Sequence, residues 1–241
     1  MISKDFMTNL ATRNALLLIT AISVHLSLSP PNPPVALQKC TGSKTLFERF
    51  IQYITFCSKA MTWVGVILDI VASSVLFAQP TSLVAPLFCP EPPRPLSTMW
   101  TVHSGLLIGS SMTFLAALLR LWCFRTMGRM FTFEVTIDAK HELITGGPYA
   151  YVRHPSYTGV AMTLLGATLA LCYPGSWLME CGVLSRGGIL ALAFWIVKCG
   201  YAAKGTIARL GMEDETLRKT FGSTWDEYAE NVPYRLIPGV I

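Results

Sequence analysis

Long apolar runs separated by short polar segments dominate the pattern along this chain. Asn14–Leu28 is apolar and, extended back to Thr8, is long enough for a first membrane span. Pro30 comes directly after Ser27-Leu28-Ser29, which makes a poor cleavage site, so the run reads as a retained span and not as a signal peptide. Leu46–Lys59 is amphipathic, suited to an interface, and runs into the apolar Ala60–Phe77, which predicts a second span. Thr98–Phe124, Pro155–Leu171 and Gly187–Ala203 predict the third, fourth and fifth. Between them lie proline-rich loops at Pro30–Thr45 and Gln79–Ser97, a polar segment Arg125–His154, and a turn over Cys172–Arg186 that holds Pro174 and Gly175. A charged tail begins at Lys204. Within the third run, Gly105-x-x-x-Gly109 predicts close approach by another helix.

Composition agrees with that pattern. Of 241 residues, 52% are hydrophobic and 14% charged, and the mean hydropathy is +0.47. A soluble domain carries about 25% charged residues. The expected fold is an all-α integral membrane protein of about five transmembrane helices. The net charge of +5 is modest and sits in the loops, which fits positive-inside loops and excludes a nucleic-acid surface. The loop at 30–45, the 125–154 segment and the tail are the basic sides. Five spans then place the N-terminus in the lumen and the C-terminus in the cytosol. The natural division is an N-terminal set of helices, 1–124, and a C-terminal region, 125–241, with a cytosolic cofactor pocket formed by the C-terminal half.

Seven cysteines are scattered through the chain, with no pair at CxxC spacing and several inside apolar runs. They read as small buried hydrophobes, not as a disulfide framework or a zinc site, and no metal is expected. There is no GxGxxG, which argues against a Rossmann dinucleotide site. Asp69, His103 and Lys198 fall within predicted spans, where a lone charge is costly. A structural pairing of Asp69 with Lys198 or His103 is expected. Trp63, Trp100, Trp177 and Trp195 read as packing or interfacial anchors.

The densest run of special residues is Thr145–Gly159, TGGPYAYVRHPSYTG. Gly146, Gly147 and Pro148 mark a turn. Pro155 suits the first position of a helix, which puts Arg153 and His154 at the helix mouth. That mouth carries the positive end of the helix dipole and backbone N–H groups, a seat for a carboxylate. An equally ordinary reading makes Arg153 a flanking charge and His154 a cap. Arg209 and Glu213 are four apart and share a face if the fifth helix continues into the tail. They form either an exposed ion pair or a clamp for a ligand. Gly200, Gly205 and Gly211 either admit a ligand to the backbone or let the helix bend.

His141–Gly159, HELITGGPYAYVRHPSYTG, resembles the signature of the isoprenylcysteine carboxyl methyltransferase family. The tail adds to the resemblance: Glu213-Asp214, Leu217, Phe221-Gly222, Trp225, Tyr228, Val232-Pro233 and Ile237-Pro238 follow the family order. The likeness covers the C-terminal half, from about Phe131. It implies methyl transfer from S-adenosylmethionine to the C-terminal carboxylate of a prenylated cysteine in CaaX-processed proteins. By motif position it implies Arg153 at the substrate carboxylate, His154 near the cofactor, and Arg209 and Glu213 in the cofactor and catalytic region. His141, Leu143, Gly147, Tyr149 and Tyr157 fall on motif positions that would line the cofactor. Asp214 stands where many members carry glutamate, and its shorter side chain shifts the expected ligand role to Glu213. The resemblance further implies a multi-pass protein of the endoplasmic reticulum membrane with a cytosolic catalytic face.

Three other readings compete. A phospholipid amine methyltransferase shares a small membrane scaffold and an acidic pair. A sterol reductase using NADPH has a similar C-terminal region, but on a much longer chain. A membrane scaffold without activity gives no reason for Arg153, His154, Arg209 and Glu213 to gather at one face.

Overall fold

A computed structural model describes residues 4–33, 46–131 and 142–240. All regular structure among the described residues is helical. The principal helices are α1 (Lys4–Ser27), α2 (Leu46–Ala78), α3 (Ser104–Met127), α4 (Pro155–Leu171), α5 (Ile189–Phe221) and α6 (Ser223–Asn231). Among the described residues, four stretches are long and apolar enough to cross a membrane: Met7–Ser27, Arg49–Ala78, Leu96–Met130 and Leu184–Phe221. The fourth expected span, α4, has 17 residues. At a rise of about 1.5 Å per residue it is shorter than the ~20-residue helix that spans a bilayer core.

The sequence boundaries hold best at α4, which runs over the expected Pro155–Leu171 because a proline opens it. Elsewhere the helices outrun the apolar runs. The first begins at Lys4, and the amphipathic Leu46–Lys59 joins Ala60–Phe77 in one 33-residue helix. The fifth extends 18 residues past Ala203, to Phe221. Polar residues of good helix propensity carry a helix on once packing has started it.

The chain divides into two compact units, and the division falls inside the long helices. The first comprises the chain up to His25, Cys57–Leu115 and Met162–Val197. Its core gathers Leu17, Ala21, Val66, Leu106, Ala170 and Tyr173. Here α3 meets α4 at Gly109: a Cβ on that residue would stand 2.5 Å from the Ala170 backbone nitrogen and 2.6 Å from the Gly166 carbonyl oxygen. The Gly105-x-x-x-Gly109 motif therefore does what its spacing predicts. Trp100 packs edge-on against Phe77, and the Trp195 indole donates to Thr168 Oγ1 at 2.8 Å, so these two tryptophans act in packing.

Two expectations fail in this unit. Cys89 and Cys181 form a disulfide with Cα atoms 4.6 Å apart, although they stand 92 residues apart in sequence. Pairing depends on where two Cα atoms arrive in space, which residue spacing does not reveal. Among the described residues Cys57, Cys123, Cys172 and Cys199 are free thiols, of which only Cys123 is buried as expected. Asp69 pairs with neither Lys198 nor His103 but with buried Arg13, whose guanidinium donates to Asp69 Oδ1. Arg13 also donates to Ser73 Oγ (3.3 Å) and the Gly175 carbonyl (3.2 Å), and the Trp177 backbone N–H donates to Asp69 Oδ2 (2.9 Å). Arg13 lies inside α1, within the span expected from Thr8 onward.

The second unit comprises Leu26–Phe56, Ala116–Ala161 and the chain from Lys198 onward. Cys123, Phe124, Phe131 and Tyr149 form its apolar core. Buried Arg120 crosses it, donating through Nε to the Ser27 carbonyl (2.9 Å) and through Nη1 to Ser156 Oγ. Its guanidinium lies over the rings of Phe124 (4.7 Å) and Phe131 (5.3 Å). Its stem occupies the notch at Gly159, where a Cβ would come within 2.7 Å of Arg120 Cγ. Its position inside an apolar run was the available signal, and the residue belongs beside Asp69, His103 and Lys198 in any account of intramembrane charge.

Candidate active site

The Thr145–Gly159 run builds one wall of a charged cluster in the second unit. Gly147 has φ +61°, and a Cβ there would stand 2.8 Å from Thr126 Oγ1, so both conformation and space call for glycine. A 3₁₀ turn follows over Gly147–Ala150. It buries Tyr149, whose hydroxyl points at Met127 Sδ (2.9 Å) and whose carbonyl accepts from the Tyr228 hydroxyl (2.8 Å). Burial pushes the Tyr228 phenol up to about 12, so it remains a donor. Pro155 then opens α4, with Arg153 and His154 at its mouth as predicted.

The C-terminal tail occupies that mouth. The N–H of Arg153 donates to the Tyr234 carbonyl (3.0 Å), and the N–H of His154 to the Arg235 carbonyl (2.8 Å). Thr158 Oγ1 donates to the Leu236 carbonyl (2.7 Å), and Arg153 Nη2 to the Pro233 carbonyl (3.3 Å). The backbone donors expected to seat a carboxylate at Arg153 and His154 are thus satisfied by the chain itself. What remains for a ligand is side-chain chemistry.

The opposite wall is α5. Because the helix runs through to Phe221, Arg209 and Glu213 do share a face, with Arg209 Nε 3.6 Å from Glu213 Oε1. The Tyr157 hydroxyl donates to the same Glu213 oxygen. His154 bridges the two acids: Nδ1 is 3.5 Å from Glu213 Oε2, and Nε2 is 2.9 Å from Asp214 Oδ1. Asp214 Oδ2 also faces Arg235 Nε at 3.0 Å and Arg153 Nη2 at 3.7 Å. Burial alone would lower the His154 pKa, but its hydrogen bonds to both carboxylates, with their negative charge, outweigh it and raise the value above normal. With a carboxylate at each ring nitrogen, the imidazolium is the form this geometry favours.

Of the residues singled out in the sequence, Arg153, His154, Tyr157, Arg209 and Glu213 come together here. Tyr149 and Gly147 stand beside it, against the Trp122–Met127 turn of α3, and Leu143 is half-buried. His141 lies outside the described residues. Asp214 was passed over for its short side chain, yet it makes three charged contacts. Arg235 was missed as well; it is one more charge in a charged tail, and only the fold of the tail brings it to Asp214.

Three guanidiniums and one imidazolium surround two carboxylates, leaving an excess of positive charge. Glu213 is 20% exposed and Arg235 45%, whereas Arg209 and His154 are buried. Two donors, Arg153 Nε and the Trp225 indole N–H, are buried without a hydrogen-bond partner among the described residues, and the Arg153 guanidinium lies 5.5 Å over the Trp225 ring. Such a site can accept hydrogen bonds through Glu213 and bind an anion through its cations.

Comparison with known proteins identifies relatives of the chain. Residues 108–184, from within α3 through α4, match the model of the isoprenylcysteine carboxyl methyltransferase (ICMT) family. The chain is 33% identical over 136 residues to protein-S-isoprenylcysteine O-methyltransferase B of Arabidopsis thaliana, covering 56% of this chain and 58% of that relative. It is 30% identical over 158 residues to a probable protein-S-isoprenylcysteine O-methyltransferase of Oryza sativa subsp. indica, covering 65% of this chain and 70% of that relative. By these matches the chain, whose charged cluster joins the RHP turn to α5, belongs to the isoprenylcysteine carboxyl methyltransferase family.

Proposed function

We propose that this protein transfers a methyl group from S-adenosylmethionine to the C-terminal carboxylate of a prenylated cysteine. The observation that carries the reading is the cluster itself: an excess of cations around one partly open carboxylate, Glu213, on helices long and apolar enough to lie in a membrane. Membership of the family supports the same reaction.

The donor set suits the cofactor. Glu213 can accept from ribose hydroxyls or an ammonium, His154 and Tyr157 fix its two oxygens, and Arg209 balances its charge. When bound, the cofactor supplies a methyl group already activated by its sulfonium. The acceptor, a C-terminal carboxylate of pKa about 3.5, is ionised at neutral pH, so no side chain has to remove a proton. The work left to the chain is to bind, aim and dry the carboxylate. Arg153, with its unpartnered Nε, is assigned that task, because a planar guanidinium can hold one carboxylate oxygen and leave the other to react.

In this reading the catalytic region is 125–241, α4 crosses as the fourth of five spans, and the cluster faces the cytosol of the endoplasmic reticulum membrane. A site at the membrane surface meets both a lipid-borne prenyl chain and a soluble cofactor. The test is label transfer from radiolabelled S-adenosylmethionine to N-acetyl-farnesylcysteine, with phosphatidylethanolamine in parallel. Base-labile label on the prenylcysteine supports the proposal. Label on the lipid amine replaces the acceptor, and label on neither rejects it.

A further inference from the structure

Gly205 lies one turn before Arg209 on α5, and neither a bend nor a ligand explains it. An ideal Cβ there would stand 2.2 Å from Phe47 Cδ2 and 2.5 Å from Cε2 and Cγ. The ring of Phe47, near the start of α2, fills that space. Tyr201, Gly205 and Arg209 recur every four residues and share one face of α5. Phe47 packs against all three: its ring is 5.8 Å from the Tyr201 ring at a 51° tilt, and the Arg209 guanidinium lies 5.7 Å over it. Phe47 is 9% exposed and Arg209 3%.

We propose that Phe47, seated on Gly205, is a positioning residue for Arg209, holding the guanidinium where it meets Glu213. A buried arginine has many rotamers and can satisfy its charge in more than one way. An aromatic face beneath the guanidinium leaves its edge free for the carboxylate while blocking rotation away from it. The notch lets the ring approach that closely, since any side chain at 205 would push it out. This inference rests on the proposal that Arg209 and Glu213 serve the methyl-transfer site.

The experiment uses the full chain in detergent, with Gly205→Ala, Phe47→Ala, Phe47→Tyr and the Gly205→Ala/Phe47→Ala pair. The first readout is the Arg209 Nε–Hε resonance, which senses the ring and needs no activity. It should move in Phe47→Ala and in Gly205→Ala, and return toward the wild-type position in Phe47→Tyr. The second is kinetics: Gly205→Ala and Phe47→Ala each raise the KM for S-adenosylmethionine about tenfold, and the pair is no worse than Phe47→Ala alone, because the clash is gone once the ring is. Phe47→Tyr recovers most of the loss. An unmoved Arg209 resonance in Phe47→Ala, or penalties that simply add, overturns the proposal. If Gly205→Ala fails to fold, the two Phe47 variants decide the matter. Wild-type protein that methylates no prenylcysteine refutes the proposed function, while the resonance still judges the positioning.

Discussion

Each unit of this protein buries charge, and the two arrangements differ in kind. In the first unit, one cation meets one anion: Arg13 and Asp69 are buried, and Ser73, the Gly175 carbonyl and the Trp177 N–H take up further bonding capacity. In the second, two adjacent acids share a single imidazole and draw three guanidiniums, with Glu213 and Arg235 partly open. A balanced pair with almost no exposed surface holds helices together and gives a ligand no access, although Arg13 Nε, like Arg153 Nε, lacks a hydrogen-bond partner among the described residues. An unbalanced, partly open cluster keeps capacity for one. Burial of charge alone therefore does not mark a functional site; imbalance with access does.

The sharpest way to break the contrast is to cut each cluster in turn. Asp69→Ala leaves Arg13 buried and unpaired, a loss of about 3–5 kcal/mol. Little folded protein should survive, as read by size-exclusion yield and thermal unfolding. Normal yield with lost activity would move Asp69 to the functional side. Arg153→Ala should do the reverse: the protein folds, and methyl transfer falls by roughly 100-fold or more, the scale of losing one charge-stabilising donor. Arg153→Lys should not restore it, because an ammonium lacks the planar fork.

Smaller effects sharpen the division of labour inside the cluster. Glu213→Gln keeps the shape but loses the charge, and should weaken S-adenosylmethionine binding by about tenfold in calorimetry. An unchanged affinity would reject Glu213 as the cofactor acceptor. The smallest effect is that of pH. His154 has a folded-state pKa raised above its unfolded value of about 6.5. Its contribution to stability is therefore fully present below about pH 6.5 and drains away as pH rises through the folded value. Thermal midpoints should fall across that window in wild type and fall less in His154→Gln. An imidazole that titrates at or below its ordinary value would contradict the bridge to Glu213 and Asp214.

Much of this was legible in the residues. Pro155 placed the start of α4 and the cluster's first wall, and the i,i+4 spacing of Arg209 and Glu213 placed the second. Gly105 and Gly109 announced the α3–α4 approach. What the sequence concealed were partnerships made across long separations. Cys89 and Cys181 lie in connecting segments, but nothing in the sequence says that these two meet across 92 residues. Asp69 chose Arg13 because α1 begins early enough to carry Arg13 into its buried face, and Arg120, visible as a charge in an apolar run, gave no sign of its partners at Ser27 and Ser156. Asp214 looked too short to matter, yet the tail brings Arg235 to it, so reach was supplied by the partner. Gly205 carried a signal, a glycine in mid-helix, whose meaning depended on a ring more than 150 residues earlier in the chain.

The central claim is that the open cluster recognises a carboxylate. A direct measurement compares binding of N-acetyl-farnesylcysteine and its methyl ester to the purified protein, since the two differ in that charge and one methyl group. Recognition of the carboxylate requires that the free acid bind about tenfold or more tightly, as a charge-assisted contact does, and that the difference vanish in Arg153→Ala. Equal affinity of acid and ester in the wild-type protein would contradict it.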